Sequence, residues 1–292
     1  MKATALRLRT GPAFAVPPMM LQHRPRDERD WARWTPTEAQ AWKPGGCLTA
    51  PPVTLAREWE SRRAFIQAPW QAPPEVIIDD TEVAVERHNQ ILTEDPRKRP
   101  LILYTDGSGI EGRIGAAAIV GLEDQHAHSQ IGDDSTSTVY AAEVRAIEMA
   151  LAMVLESTEP WAKQAKNGVV IFVDSQAALR ALGRPRMPSG QVYLAGCLDL
   201  IRQLAGKGIR TNLRWIPAHQ GVIGDEVADQ HAKEAAQEPD GPQNPLNRGV
   251  CLAAAAERRI RSEAKFEWET RWAKETTSRR TRRLLKHQPR RR

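Results

Sequence analysis

The chain has 292 residues, of which 41% are hydrophobic, with 21 prolines and a formal net charge of +6. That is length for two domains and apolar content for one good core. No apolar run approaches the ~20 residues that a membrane helix needs.

The three cysteines (Cys47, Cys197, Cys251) are odd in number and far apart, so they announce neither a disulfide framework nor a zinc site. The basic opening "MKATALRLRT" runs into a stretch too proline-rich for a secretory leader. An intracellular protein, of the nucleus or cytoplasm, is expected. Charge is unevenly spread. Residues 1–100 carry +2, residues 101–240 carry −6, and residues 241–292 carry +10, with 15 Lys/Arg against 5 Asp/Glu. An acidic middle beside a basic end points to a metal-binding or ordinary domain tethered to a nucleic-acid grip.

Residues 1–97 are Pro-punctuated and hold five of the nine tryptophans. Their one clear element is a helix over 79–95, "DDTEVAVERHNQILTED", with Asp79 or Asp80 as N-cap. The rest reads as irregular packing or linker. The "IIDD" pair resembles a polymerase palm only in residue type, because a palm needs a further upstream aspartate and far more chain.

Residues 98–240 differ in texture. "LILYTD", "GRIGAAAIVG" and "QHAHSQIG" read as a strand meander, and "STVYAAEVRAIEMALAMVLES" as a helix. "GVVIFVD" is an unbroken apolar run, as in a central strand buried on both faces. "SQAALRAL" and "GQVYLAGCLDLIRQLAGKG" are helices, "RTNLRWIP" a strand, and "GDEVADQHAKEAAQ" a closing helix. The order β-β-β-α-β-α-α-β-α predicts an α/β fold with a mixed five-stranded sheet and helices packed on it. Residues 241–292 open on a breaker-rich hinge, continue as an Arg-rich helix with Trp268 and Trp272 one turn apart, and end in "RRTRRLLKHQPRRR".

Four carboxylates sit where charge is costly. Glu143 ends the stripe Ala146, Ile147, Ala150, Leu151, Val154, whereas Arg145 and Glu148 fall off it. Asp225, Ala228, Asp229, Ala232, Ala235 and Ala236 share a face of the closing helix. There Asp225 reads as a cap, while Asp229 sits a turn inside. Asp106 and Asp174 close apolar strands, and parallel neighbours would present both at one sheet edge. Each alone could be a cap, a turn or a salt-bridge partner. Together they point to hard divalent cations, two of which ~4 Å apart can serve an in-line phosphoryl displacement.

"YTDGSG", "AAEVRAIEMAL", "VDSQAAL" and "WIPAHQGVIGDEVADQHAKEA" resemble, in order and spacing, the motifs of type 1 ribonuclease H domains, over about residues 98–238. The resemblance implies the ribonuclease H-like fold and a metal-dependent endonuclease that hydrolyses the RNA strand of RNA–DNA hybrids. It implies Asp106, Glu143, Asp174 and Asp229 as ligands of two Mg²⁺ ions (Mn²⁺ as substitute), and His219 as an auxiliary catalytic group. "GDE" stands where the family commonly has "GNE", so Asp225 is an added carboxylate. The chain between "LRALG" and "GQVYL" is too short for the basic handle of some relatives. The flanks "ALRLRTGPAFAVPP" and "EWETRWAKE" resemble the region that follows the reverse transcriptase in fungal non-LTR retrotransposon polyproteins, which implies a reverse transcriptase module as partner.

A hybrid is told from DNA by its 2′-hydroxyls. Gly107, Ser108 and Gly109 leave backbone near Asp106 open to a strand. Ser175 and Gln176, after Asp174, offer polar side chains and resemble family substrate contacts, although Ser175 equally suits a helix cap. Other nucleases of the same fold fit less well. Proofreading exonucleases want Asp-x-Glu where residues 106–108 read Asp-Gly-Ser, and integrase-type enzymes carry their glutamate on the last helix. The alternative from another class is a non-catalytic nucleic-acid-binding remnant of a retroelement polyprotein.

Overall fold

The computed structural model of the chain describes residues 60, 65–68, 70–121, 125–185, 189–218, 220–238 and 250–274. The chain divides into two units, Thr54–Ala255, and Met1–Val53 together with Ala256–Arg292.

The first unit is a three-layer α/β/α arrangement. In chain order it contains β1 (Glu75–Ile77), α1 (Thr81–Thr93), β2 (Leu101–Ile110), β3 (Arg113–Val120), β4 (His126–Asp133) and α2 (Val139–Glu156). A 3₁₀ segment (Pro160–Asn167) leads to β5 (Val169–Val173), α3 (Gln176–Gly183), α4 (Gln191–Gly206), β6 (Thr211–Trp215) and α5 (Ile223–Gln237). The last helix is α6 (Ala253–Lys274), along which Arg259–Glu263 and Lys265–Glu269 pair at i,i+4.

The sheet is mixed and six-stranded, in the order β1-β6-β5-β2-β3-β4. Its β2-β3-β4 meander is antiparallel, while β2, β5, β6 and β1 run parallel. The β2–β3 turn is set by Glu111 and Gly112, both at positive φ (49° and 78°), as a two-residue hairpin with right-handed strand twist requires. Alternation along β2 divides the core. Leu101 and Leu103 pack with Ile147, Leu151, Leu179 and Leu194 of α2, α3 and α4. Ile102 and Tyr104 pack with Phe172, Val222 and Ala228 on the α1/α5 side. Leu103, Ile171 and Leu213 are fully buried, so trimming any of them to alanine would cost about 2–5 kcal/mol.

Four features depart from the sequence reading. The sheet has six strands rather than five, because β1 forms inside the stretch read as linker and pairs with β6 as Glu75↔Asn212, Val76↔Leu213 and Ile77↔Arg214. The helix after it begins at Thr81 with Asp80 as N-cap residue, but the Asp80 side chain makes no capping hydrogen bond, and Asp79 instead accepts from Arg214 at 3.4 Å. Further, β2 does not stop at Asp106 but runs on to Ile110, held by β3.

The fourth departure concerns α2, which is not one-sided. Arg145 and Glu148 are buried and ion-paired with each other. A single stripe accounts for the face on the sheet, but α4 covers a second face. At Gly196 of α4 there is no side chain, and a Cβ there would meet the Glu148 carboxylate.

Candidate active site

The register of β2 against β5 explains how the carboxylates meet. The last parallel pair is Thr105↔Val173, so Asp106 follows it on β2 and Asp174 is the first residue past the end of β5. Beyond Val173 the sheet has lost β5 beside β2, and α2 approaches β2 closely there. A Cβ on Gly107 would lie 2.8 Å from the Ala142 carbonyl carbon and 2.9 Å from its Cβ. Only glycine tolerates that approach, and it seats the second turn of α2, with Glu143, over the end of the β2–β5 ladder. Thr138 starts α2 in register by accepting from Ala141 N at 3.2 Å.

Asp106, Glu143 and Asp174 consequently each offer a carboxylate oxygen within 4.8 Å of the other two. Asp106 and Glu143 are buried. Trp215, at the end of β6, donates its indole N–H to the main-chain oxygen of Asp174 at 2.8 Å and so fixes the turn that presents it. That positioning residue escaped the sequence reading, since nothing in "LRWIP" signals a tie between two strand ends.

Asp225 is no cap. The N-cap residue of α5 is Val222, and Asp225 lies inside the first turn, 6% exposed, its Oδ1 buried without a hydrogen-bond partner. The helix begins three residues earlier than the Asp225 signal implied, and this places the side chain inside the first turn. Asp229, a turn later, is outside the 4.8 Å group. It is 29% exposed at the side chain and accepts from Lys233 Nζ at 2.5 Å, an i,i+4 pair along α5. That pairing was readable from the spacing and was missed.

The electrostatics follow from burial and like charge. Burial first, then the charges of Asp174 and Asp229, push the Asp106 carboxyl up to about 7 against the pull of the Gly107 amide and Lys233. Burial, then Asp174, Asp106 and Asp229, push Asp225 up to about 7 as well. Burial, with Asp174, Asp106 and Asp225, lifts Glu143 well above its ordinary value. Such a cluster carries protons or a cation, since several bare buried carboxylates repel one another.

The residues fit a hard divalent cation. Three converging carboxylates and the partnerless, buried Glu143 Oε2 are the donor chemistry that Mg²⁺ or Mn²⁺ takes. Asp106, Glu143 and Asp174 would hold it, with Asp225 and Asp229 adjoining.

The residues that follow Asp106 and Asp174 differ in exposure. Gly107 is buried against α2, whereas Ser108 is half-buried and Gly109 exposed. Ser175 is the N-cap of α3, its side chain accepting from Ala178 N at 3.4 Å. Gln176 Oε1 accepts from Arg180 at 2.7 Å. His219 lies outside the described residues.

Residues 98–237 match the RNase H family. No curated protein matches the chain. Among solved structures, the chain is similar to a prototype foamy virus protease-reverse transcriptase at 16% identity, covering 48% of this chain and 21% of that one, with a TM-score of 0.36. It is similar to RNase H1 of the halophilic archaeon Halobacterium salinarum NRC-1 at 17% identity, with 47% and 96% covered and a TM-score of 0.34. It is also similar to LC11-RNase H1, crystallised with an RNA/DNA hybrid, at 16% identity, with 46% and 98% covered and a TM-score of 0.34. The chain spans about a fifth of the foamy virus protein.

Proposed function

We propose, starting from the match of residues 98–237 to the RNase H family, that the acidic pocket hydrolyses the RNA strand of RNA–DNA hybrids with two Mg²⁺ ions. The observation that carries this reading is the convergence of Asp106, Glu143 and Asp174 at the end of the β2–β5 ladder. A divalent cation bound there supplies Lewis acidity at the scissile phosphate. The chain's own part is to hold that charge in a buried setting, with Asp106 and Glu143 anchored by the Gly107 amide and Asp174 by Trp215. Ser108, Ser175 and Gln176 lie one or two residues along the chain from Asp106 and Asp174 and offer polar groups that would read a 2′-hydroxyl. His219 assists proton movement or product release.

The basic end, with 15 Lys/Arg against 5 acids over 241–292, grips phosphates without regard to sequence. We place the chain's origin in a non-LTR retrotransposon polyprotein, beside a reverse transcriptase, acting in the nucleus or cytoplasm. The test is cleavage of a labelled hybrid by the full chain in Mg²⁺, with RNA duplex, DNA duplex and Asp174→Asn alongside. Hybrid-specific cutting that Asp174→Asn abolishes supports the proposal. Tight hybrid binding without cutting would favour a non-catalytic remnant.

A further inference from the structure

Three histidines gather on the sheet face that α5 covers. His126 and His128 are two apart on β4, so their side chains share that face, and His231 comes down from α5. The rings stack in near-parallel planes. The His126 and His231 centroids are 4.0 Å apart at 13°, those of His126 and His128 5.4 Å apart at 12°, and those of His128 and His231 6.2 Å apart at 1°. Each offers a ring nitrogen within 4.8 Å of the other two.

The hydrogen bonding is uneven in a telling way. His128 Nε2 faces Glu238 Oε1 at 3.3 Å and His231 Nδ1 faces Glu234 Oε2 at 3.1 Å. A neutral imidazole donates from one nitrogen and keeps a lone pair on the other. With the protons committed to the two glutamates, the lone pairs sit on Nδ1 of His128 and Nε2 of His231. His128 Nδ1 is buried and has no hydrogen-bond partner, and the same is true of His126 Nδ1. Burying ring nitrogens with nothing to bond is unfavourable, and three stacked imidazoles gain nothing from one another that explains the cost.

We propose that His126, His128 and His231 form a binding site for a borderline-soft transition-metal ion, Zn²⁺ foremost, separate from the acidic pocket. Three imidazoles suit Zn²⁺, Ni²⁺ or Cu²⁺ and not Mg²⁺, whose ligands are oxygens. A glutamate on the far nitrogen of a ligating histidine fixes its tautomer and raises its basicity, the role that Glu238 and Glu234 would have. Tetrahedral ligation at ~2.0–2.1 Å asks the nitrogens to stand ~3.4 Å apart, so on binding the rings would swing out of their parallel stack until their in-plane lone pairs converge on the ion. The ion would tie α5, which bears Asp225 and Asp229, to β4, the edge strand of the sheet. It would therefore act as a structural clamp and take no part in phosphoryl chemistry.

The experiment uses the untagged full chain, stripped with chelator and titrated with Zn²⁺ by calorimetry and with Co²⁺ by visible absorption. With the acidic pocket occupied by saturating Mg²⁺, one Zn²⁺ per chain is expected, with the intense bands of tetrahedral Co²⁺. His128→Gln and His231→Gln should each abolish that site, and Glu238→Gln should weaken it by ~10–100-fold. Asp106→Asn should leave it intact, which separates it from the acidic pocket. Long-range ¹H–¹⁵N spectra of the wild-type protein provide a reading free of mutation, with Zn²⁺ expected to shift Nδ1 of His128 and Nε2 of His231. Failure to bind Zn²⁺, a bound ion that survives both histidine replacements, or unmoved ring nitrogens would overturn the proposal.

Discussion

Replacing Asp106 with asparagine should make the metal-free protein more stable at neutral pH, although it removes a residue at the centre of the candidate site. Asp106 titrates near 3.8 when solvated and at about 7 in the fold. Between those values the folded state holds a proton that the unfolded chain has released, so stability is full at low pH and falls as pH rises through this window. Each tenfold difference in proton affinity is worth about 1.4 kcal/mol, so Asp106 acting alone would cost the fold about 4 kcal/mol at pH 7. Asp174 and Asp229 share in raising it, and coupled sites do not add, so Asp106→Asn should stabilise by about 2 kcal/mol. The assay is urea unfolding of both proteins in chelator at pH 5 and pH 8. The wild type should lose stability between the two and the variant should lose less. Saturating Mg²⁺ should then reverse the ranking, because only the folded wild type gains the full binding free energy. Equal pH slopes, or a variant less stable than wild type at pH 8 in chelator, would refute the electrostatic account.

Other outcomes follow from the same geometry. Gly107→Ala should destabilise by about 1–3 kcal/mol, as an overpacked contact does, because its new methyl would press on the α2 backbone. Single-turnover cleavage should fall with it, since the shift moves Glu143 away from Asp106. Asp225→Asn should stabilise the chelated protein at pH 8 and leave cleavage standing, whereas Asp229→Asn should release Lys233 and lower it. The reverse ranking in a cleavage assay would show that the choice between the two was wrong. His219→Ala should lower turnover by up to ~10²-fold while leaving Mg²⁺ affinity by calorimetry unchanged, as an auxiliary proton-transfer group would. Loss of the ion would make it a ligand.

The parts of this protein that declared themselves in sequence were those whose signal is local and repeated. β5 read as buried because its run is unbroken, and α2 as a helix because Ala, Leu and Met recur at helical spacing. Asp106 and Asp174 declared themselves because both follow an apolar run, and the register Thr105↔Val173 brings them together. What stayed hidden depended on distant partners. The three residues of β1 are too few to display a period, and their partner β6 lies far along the chain. Arg145 and Glu148 looked solvent-facing because periodicity reports one apolar stripe and is blind to a second helix laid over the other face. Asp225 read as a cap, but the helix starts three residues earlier, so it falls inside the first turn instead of at its edge. The His-x-His of β4 was visible, but only tertiary packing brings His231 to it.

The three residues of β1 also decide how this domain can be divided. β6 would otherwise be the last strand of its half-sheet, with a row of main-chain amides and carbonyls open along one side, the template on which sheets of separate molecules join. β1 occupies that row, and α1 follows it to lay His88 against Tyr104, its Nε2 2.8 Å from the phenol oxygen. A protein cut to begin at residue 98, where the family match begins, would keep every carboxylate of the pocket but bare β6 and uncover Tyr104. Its weakness would be self-association rather than lost chemistry. Size-exclusion chromatography would show it as dimers and larger species, whereas the same protein begun at residue 54 would run as a single copy.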